Sequence, residues 1–132
     1  MNELIQNLVK ESLIKKCPNQ DLEIAKQKSS YQQLLKRAQT PDLRVQYLAN
    51  YDALLRLLEI YLLSFGFTLS DQPHSAARKL IGGILPNSNF AELIKTRHEV
   101  KKSDAIPKET NLQELLELRQ NFDEWLHSSG YK

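Results

Sequence analysis

The sequence predicts an all-α bundle of about five to six helices, and three observations carry that expectation. No segment alternates apolar and polar residues convincingly with period two. Several stretches instead repeat apolar residues at the spacing of one helix face. The four glycines and five prolines fall between those stretches or at their ends, where helices stop.

Leu4, Ile5, Leu8 and Val9 mark a first helix, which should stop near Cys17-Pro18 because the residue before a proline avoids helical dihedrals. A second helix runs from about Asp21 to Ala38, with Ile24, Ala25, Tyr31, Leu34, Leu35 and Ala38 turned inward. Thr40-Pro41 then reads as an N-cap followed by proline at the first helical position. The third helix, Pro41 to Phe65, is the spine. Leu48, Tyr51, Leu55, Leu58, Leu62 and Phe65 form one stripe, while Ala53, Leu57, Ile60 and Phe67 lie partly on another side. A helix that is apolar on two sides needs two coverings, one of which could be further helices or a second subunit. Leu57, Ile60 and Phe67 are therefore the interface candidates for a homodimer.

Asp52 and Arg56 stand four residues apart on the remaining polar edge of the spine, as a helix-surface pair. Gly66 is placed to cap it. After Ser70-Asp71-Gln72-Pro73 a short helix carries Ala76, Ala77, Leu80, Ile81 and Ile84, with Gly82-Gly83 weakening its last turn and Pro86 ending it. Asn87-Ser88-Asn89 offers caps to a helix from Phe90 to about Lys102. The last helix opens with Thr110-Asn111-Leu112-Gln113, which has capping-box spacing, and faces inward through Leu115, Leu118, Phe122 and Trp125. No internal repeat or linker divides the chain, so residues 1–132 read as one domain.

A chain of 132 residues can bury a core without disulfides or a structural metal. Cys17 is the single cysteine, which excludes an internal disulfide and a thiolate zinc cluster and fits a reducing compartment. Met1-Asn2-Glu3-Leu4-Ile5 lacks the pattern of a secretion signal, and Arg56 and Glu59 interrupt the longest apolar stretch, so a cytoplasmic protein without a membrane span is expected. The net charge of +2 is too small to imply nucleic-acid binding by itself. Its distribution is uneven: residues 95–108 are basic and residues 109–132 acidic, as expected of neighbouring segments that attract each other. Further basic pairs, Lys15-Lys16, Lys36-Arg37 and Arg78-Lys79, could add phosphate contacts, but aromatic residues for base stacking are not interleaved with them.

Common catalytic signatures are missing. Gly82-Gly83 lacks a P-loop pattern, and His74, His98 and His127 are too scattered for a paired metal motif. Cys17 reads as a helix-end residue, and Asp123-Glu124 as a solvated face. No cofactor or metal is expected.

One local signal stands out. Phe90, Leu93 and Ile94 set an inward stripe whose continuation falls on Arg97 and His98. These two residues could be cations near a helix C-terminus, with Lys101 and Lys102 beside them. They could instead bind phosphate in a groove, the guanidinium as a fork and the imidazole as donor or proton carrier. A third reading pairs them with a buried acid such as Asp52 or Glu59.

The order of helices, the spine segment Tyr47-Leu48-Ala49-Asn50-Tyr51-Asp52-Ala53-Leu54-Leu55-Arg56, the Pro73–Ile84 helix and Phe90 to His98 together resemble the HEPN superfamily over about residues 20 to 128. Residues 1–18 stand outside the likeness as an N-terminal helix. The resemblance implies a small helical domain found beside nucleotidyltransferases or in toxin–antitoxin systems. In its active ribonucleases an arginine holds the RNA phosphate, and a histidine further along assists attack of the 2′-hydroxyl without metal. Arg97 matches the arginine and His98 the polar residue after it. The histidine would fall at 102, 103 or 104, where this chain has Lys102, Ser103 and Asp104. The expectation is a non-catalytic binding module, with a nucleotidyltransferase or antitoxin as protein partner or with RNA or a nucleotide as ligand. Arg97, His98, Lys101 and Lys102 would be the phosphate contacts. The alternative is a ribonuclease toxin that works through Arg97 and His98.

Overall fold

Six helices and one pair of three-residue strands build residues 2–131, the part of the chain that the computed structural model describes. In order they are α1 (Glu3–Lys10), β1 (Ile14–Lys16), α2 (Gln20–Arg37), α3 (Leu43–Leu63), β2 (Phe67–Leu69), α4 (Pro73–Ile84), α5 (Phe90–Ser103) and α6 (Glu109–Ser128). The fold is all-α, as the periodicity predicts.

The spine helix organises the rest. From Ala53 to Leu63 every residue of α3 except Arg56 is buried, and α2, α4, α5 and α6 all pack against it. Leu57 and Ile60 are fully enclosed, and Phe67 lies half-buried in β2. This corrects the interface assignment for Leu57 and Ile60: the second apolar side of the spine is covered by the chain's own elements, leaving neither residue to a second subunit.

The start of α3 lies two residues beyond the expected site. Asp42, not Thr40, is the N-cap, with its carboxylate accepting from Arg44 N at 3.0 Å and Val45 N at 3.3 Å. Thr40 Oγ1 accepts from Asp42 N instead, so Pro41 sits just outside the helix. At the other end Gly66 adopts φ +85°, a left-handed conformation that favours glycine and turns the chain into β2.

The first helix is shorter than Cys17-Pro18 suggested. It ends at Lys10, Ser12 turns at φ +58°, and Ile14–Lys16 pairs antiparallel with Phe67–Leu69, Ile14 facing Leu69. Glu59 pins this small sheet to the spine: its carboxylate accepts from Thr68 Oγ1 at 2.6 Å and Leu69 N at 2.7 Å. Two satisfied bonds account for a carboxylate that is only 8% exposed.

Polar bonds fix the outer helices. Tyr31 is the buried residue of α2; its hydroxyl donates to Asp123 Oδ2 of α6 at 2.8 Å and accepts from Arg119 Nη1 at 2.8 Å. Arg119 Nε donates to Asn50 Oδ1 of α3 at 2.9 Å, closing a network across three helices. The α5 helix is tied to the first turns of α3 at several points along its length. Tyr47 donates to Leu93 O at 2.6 Å, and Arg44 donates to Val100 O at 3.0 Å and to Asp104 Oδ1 at 2.8 Å. The expected capping box is not used, since α6 already starts at Glu109 with no side-chain cap at Lys108. Asn111 instead lies inside the helix, buried, and donates to Thr96 Oγ1 at 2.9 Å.

Candidate functional site

The inward stripe of α5 is Phe90, Leu93, Thr96 and Val100, all buried, with Arg97 at its edge. Arg97 therefore lies against the spine, as the spacing predicts, and its side chain is only 16% exposed. Two features of α3 hold it. The guanidinium carbon lies 4.9 Å from the centroid of the Tyr51 ring, where the negative face of the aromatic attracts a cation. Arg97 Nη2 reaches Asp52 Oδ1 at 3.5 Å, the long end of an ion pair. Asp52 thus turns to α5 instead of forming the expected pair with Arg56, whose Nη1 donates to Gln27 Oε1 at 3.1 Å. Each of the two residues has found a partner on a neighbouring helix in place of the pair along α3.

Tyr51 links this contact to a residue the sequence did not single out. Its hydroxyl and Nδ1 of His74, in the first turn of α4, lie 2.8 Å apart. Its ring stacks on Phe90 with centroids 5.6 Å apart and planes at 17°. Phe90 and Arg97, two turns apart on α5, thus bear on one tyrosine, and His74 approaches its hydroxyl end. Burial raises the Tyr51 phenol well above its ordinary range, against a lowering by Arg97, so it stays protonated near neutrality. His74 is shifted down, first by burial, then by the positive charges of Arg97 and, more weakly, Lys101, against a raising effect of Asp52. Two fixed cations therefore act on the imidazole, and one carboxylate opposes them.

The structure does not join His98 to this corner. His98 is exposed, one helix position past Arg97, because Ile94, from which its inward placement was extrapolated, is itself only half-buried. Lys101 and Lys102 are also exposed. Of the sequence candidates, Arg97 meets the spine, Lys101 acts on His74 through its charge, and His98 and Lys102 stand in solvent. Tyr51 was assigned to a core stripe and His74 to a scattered set. The available signal was that Tyr51 and Asp52 follow one another on the spine, one for the ring and one for the charge of a facing arginine.

Elsewhere, a cavity of about 440 Å³ opens between the loop after α4 and α6, with Leu85, Pro86, Leu93 and Leu118 beside Glu114 and Glu117. None of Tyr51, Asp52, His74 or Arg97 lines it. Cys17 is half-buried and donates its backbone N–H to Gly66 O at 2.9 Å. Among the described residues no three His, Cys, Asp or Glu side chains gather into a metal-binding group, and no helix is long and apolar enough to cross a membrane. Compared with protein-family models, curated proteins and solved structures, the chain gives no significant match.

Proposed function

We propose that this chain is a cytoplasmic, non-catalytic, HEPN-like binding module that takes a phosphate-bearing partner, RNA or a nucleotide, at the corner of α3, α4 and α5. The carrying observation is the state of Arg97. Its guanidinium is oriented by the Tyr51 face, meets a single carboxylate at 3.5 Å, and has a buried Nε without a protein acceptor. An arginine offers five N–H donors in a rigid fork that matches phosphate oxygens. Here its Nε is unclaimed, Nη2 meets only Asp52, and Lys101 adds to the local positive field.

The non-catalytic part rests on His98, which stands exposed and apart from the partners of Arg97, and on Lys102, Ser103 and Asp104 at the positions where the resemblance wants a histidine. The toxin–antitoxin or nucleotidyltransferase setting rests on that resemblance alone.

The test is fluorescence anisotropy of a labelled single-stranded RNA with the wild-type chain and Arg97→Gln, with circular dichroism confirming that the variant keeps its helices. Binding that weakens with salt and drops by roughly tenfold or more in the variant is expected, since charge-assisted bonds of about 1.5–3 kcal/mol are removed. Unchanged affinity overturns the phosphate role. RNA recovered cut by wild type but intact with Arg97→Gln overturns the non-catalytic assignment in favour of the ribonuclease.

A further inference from the structure

We infer that the phosphate taken at this corner is a terminal one, a phosphomonoester held between Arg97 of α5 and His74 of α4, and that Asp52 is the internal anion it displaces. The inference rests on the phosphate reading of Arg97 and adds the ligand class, a second contact residue and a specificity-determining residue.

Access selects the ligand class. The Arg97 side chain is only 16% exposed and lies against the face of the Tyr51 ring, so its guanidinium is recessed from the surface. A phosphodiester inside an RNA strand carries a nucleoside on each side and presents two free oxygens. A terminal phosphate projects from its chain on one bond and presents three. Only the projecting group brings oxygens to a recessed guanidinium without also bringing a second nucleoside against α3.

His74 supplies the second contact. Tyr51 occupies its Nδ1 at 2.8 Å, leaving Nε2 as the imidazole atom for a ligand. With the hydroxyl proton assigned to the Tyr51–His74 bond, the neutral imidazole carries its own proton on Nε2, which makes that atom a donor. Arg97 lies over the face of the same tyrosine, so one buried side chain orients both contacts from two different helices.

Asp52 is the competitor. Its 3.5 Å contact with Arg97 exceeds the roughly 2.7–2.9 Å of a strong charge-assisted bond, and its side chain is 36% exposed and able to swing outward. A monoester dianion carries more charge than this carboxylate and offers more acceptors. Left beside the bound phosphate, Asp52 repels it.

The experiment compares one RNA oligonucleotide bearing a 5′-phosphate with the same sequence bearing a 5′-hydroxyl, and adenosine monophosphate with adenosine, by anisotropy and calorimetry. The wild type should prefer the phosphorylated member of each pair by roughly tenfold or more, a difference of about 1.4 kcal/mol. His74→Gln should abolish most of that preference while leaving affinity for the 5′-hydroxyl RNA in place. Asp52→Asn should tighten binding of the phosphorylated member several-fold, which a merely structural Asp52 would not do. In wild type, adenosine monophosphate should shift the ring ¹⁵N resonances of one histidine, and that signal should be the one missing in His74→Gln; this readout does not depend on how well the variants bind. A preference near unity in wild type, or one that survives His74→Gln, overturns the inference. If both RNAs bind equally and both are lost with Arg97→Gln, the phosphate function stands and the terminal-phosphate inference falls. If neither RNA nor the mononucleotide binds, both fall.

Discussion

Leu57→Ala separates two physical origins for the apolar second side of the spine. Leu57 is fully buried within the single chain, so the substitution removes three carbon atoms from a dry environment. At about 0.8 kcal/mol per buried methylene the transfer part comes to about 2.4 kcal/mol. The neighbours of a central helix wrapped by four others cannot close the void fully, and the residual cavity raises the loss to about 3–4 kcal/mol. For a domain of this size that lowers the melting temperature by roughly 10–15 °C. Urea unfolding followed by circular dichroism, at protein concentrations differing by about a hundredfold, measures both the loss and its origin. The midpoint should fall by the same amount at each concentration, because the covering is intramolecular. A midpoint that climbs with concentration in wild type and stops doing so in Leu57→Ala would place the residue at a subunit contact instead. A loss under about 1 kcal/mol would mean that the enclosure of α3 is wrong.

Three further outcomes test other parts of the fold. Tyr31→Phe removes a hydroxyl that joins Asp123 and Arg119 at 2.8 Å each, and it should cost about 2 kcal/mol in urea unfolding, since bonds to charged groups are worth about 1.5–3 kcal/mol; a neutral result would show that the network adds nothing net. The same phenol is pushed up to about 12, by burial first and then by its bond to Asp123, and Tyr47, Tyr51 and Tyr61 are raised as well by burial, so ultraviolet titration should find late-ionising tyrosines and lose one equivalent of them in Tyr31→Phe. For His74 the folded pKa lies below the ordinary 6.5, so the unfolded chain binds more protons over the interval between the two values and stability falls as pH drops through it. The urea midpoint of wild type should therefore decline below about pH 6.5 more than that of His74→Gln, whereas matching declines would exclude a buried, cation-flanked imidazole.

How much was legible depended on the range of each interaction. The short helix from Pro73 to Ile84 could be read in full, because a proline at its first position and Leu85-Pro86 at its end are local signals. The two strands could not. Three residues are too few to reveal a period of two, and Ile14 finds its partner at Leu69, across the whole of α2 and α3. The capping box failed for a related reason: Asn111 lies inside α6 and has a buried partner in Thr96 of α5, a contact its own segment does not reveal. In the site, helical spacing located Arg97 because its position follows from its own helix. For Asp52 the sequence offered two partners, Arg56 along its own helix and the Arg97-His98 pair across from it, and only packing decides between two half-buried arginines.

That choice bears on how the corner could work. An ion pair with Arg56 would have left Arg97 without a carboxylate, and a recessed guanidinium with no counter-charge costs several kcal/mol to desolvate. Asp52 offsets that cost, yet its 3.5 Å separation and partial exposure keep the pair short of a saturated one. A bidentate, enclosed pair would have closed the site. An arginine wholly without a partner would have turned outward to water, away from Tyr51. Between those limits the guanidinium stays aimed by the ring while its donors can still be exchanged, and the balance is set by a carboxylate on α3 acting against an imidazole on α4. A substitution at Asp52 should therefore act in opposite directions on the two properties: Asp52→Asn weakens the clamp between α3 and α5, by about 0.5–1 kcal/mol for a half-exposed pair, while strengthening the hold on an added anion. Thermal melts with and without adenosine monophosphate read both effects from one protein, and a variant that lost stability without gaining ligand-dependent stabilisation would leave Asp52 as a structural clamp alone.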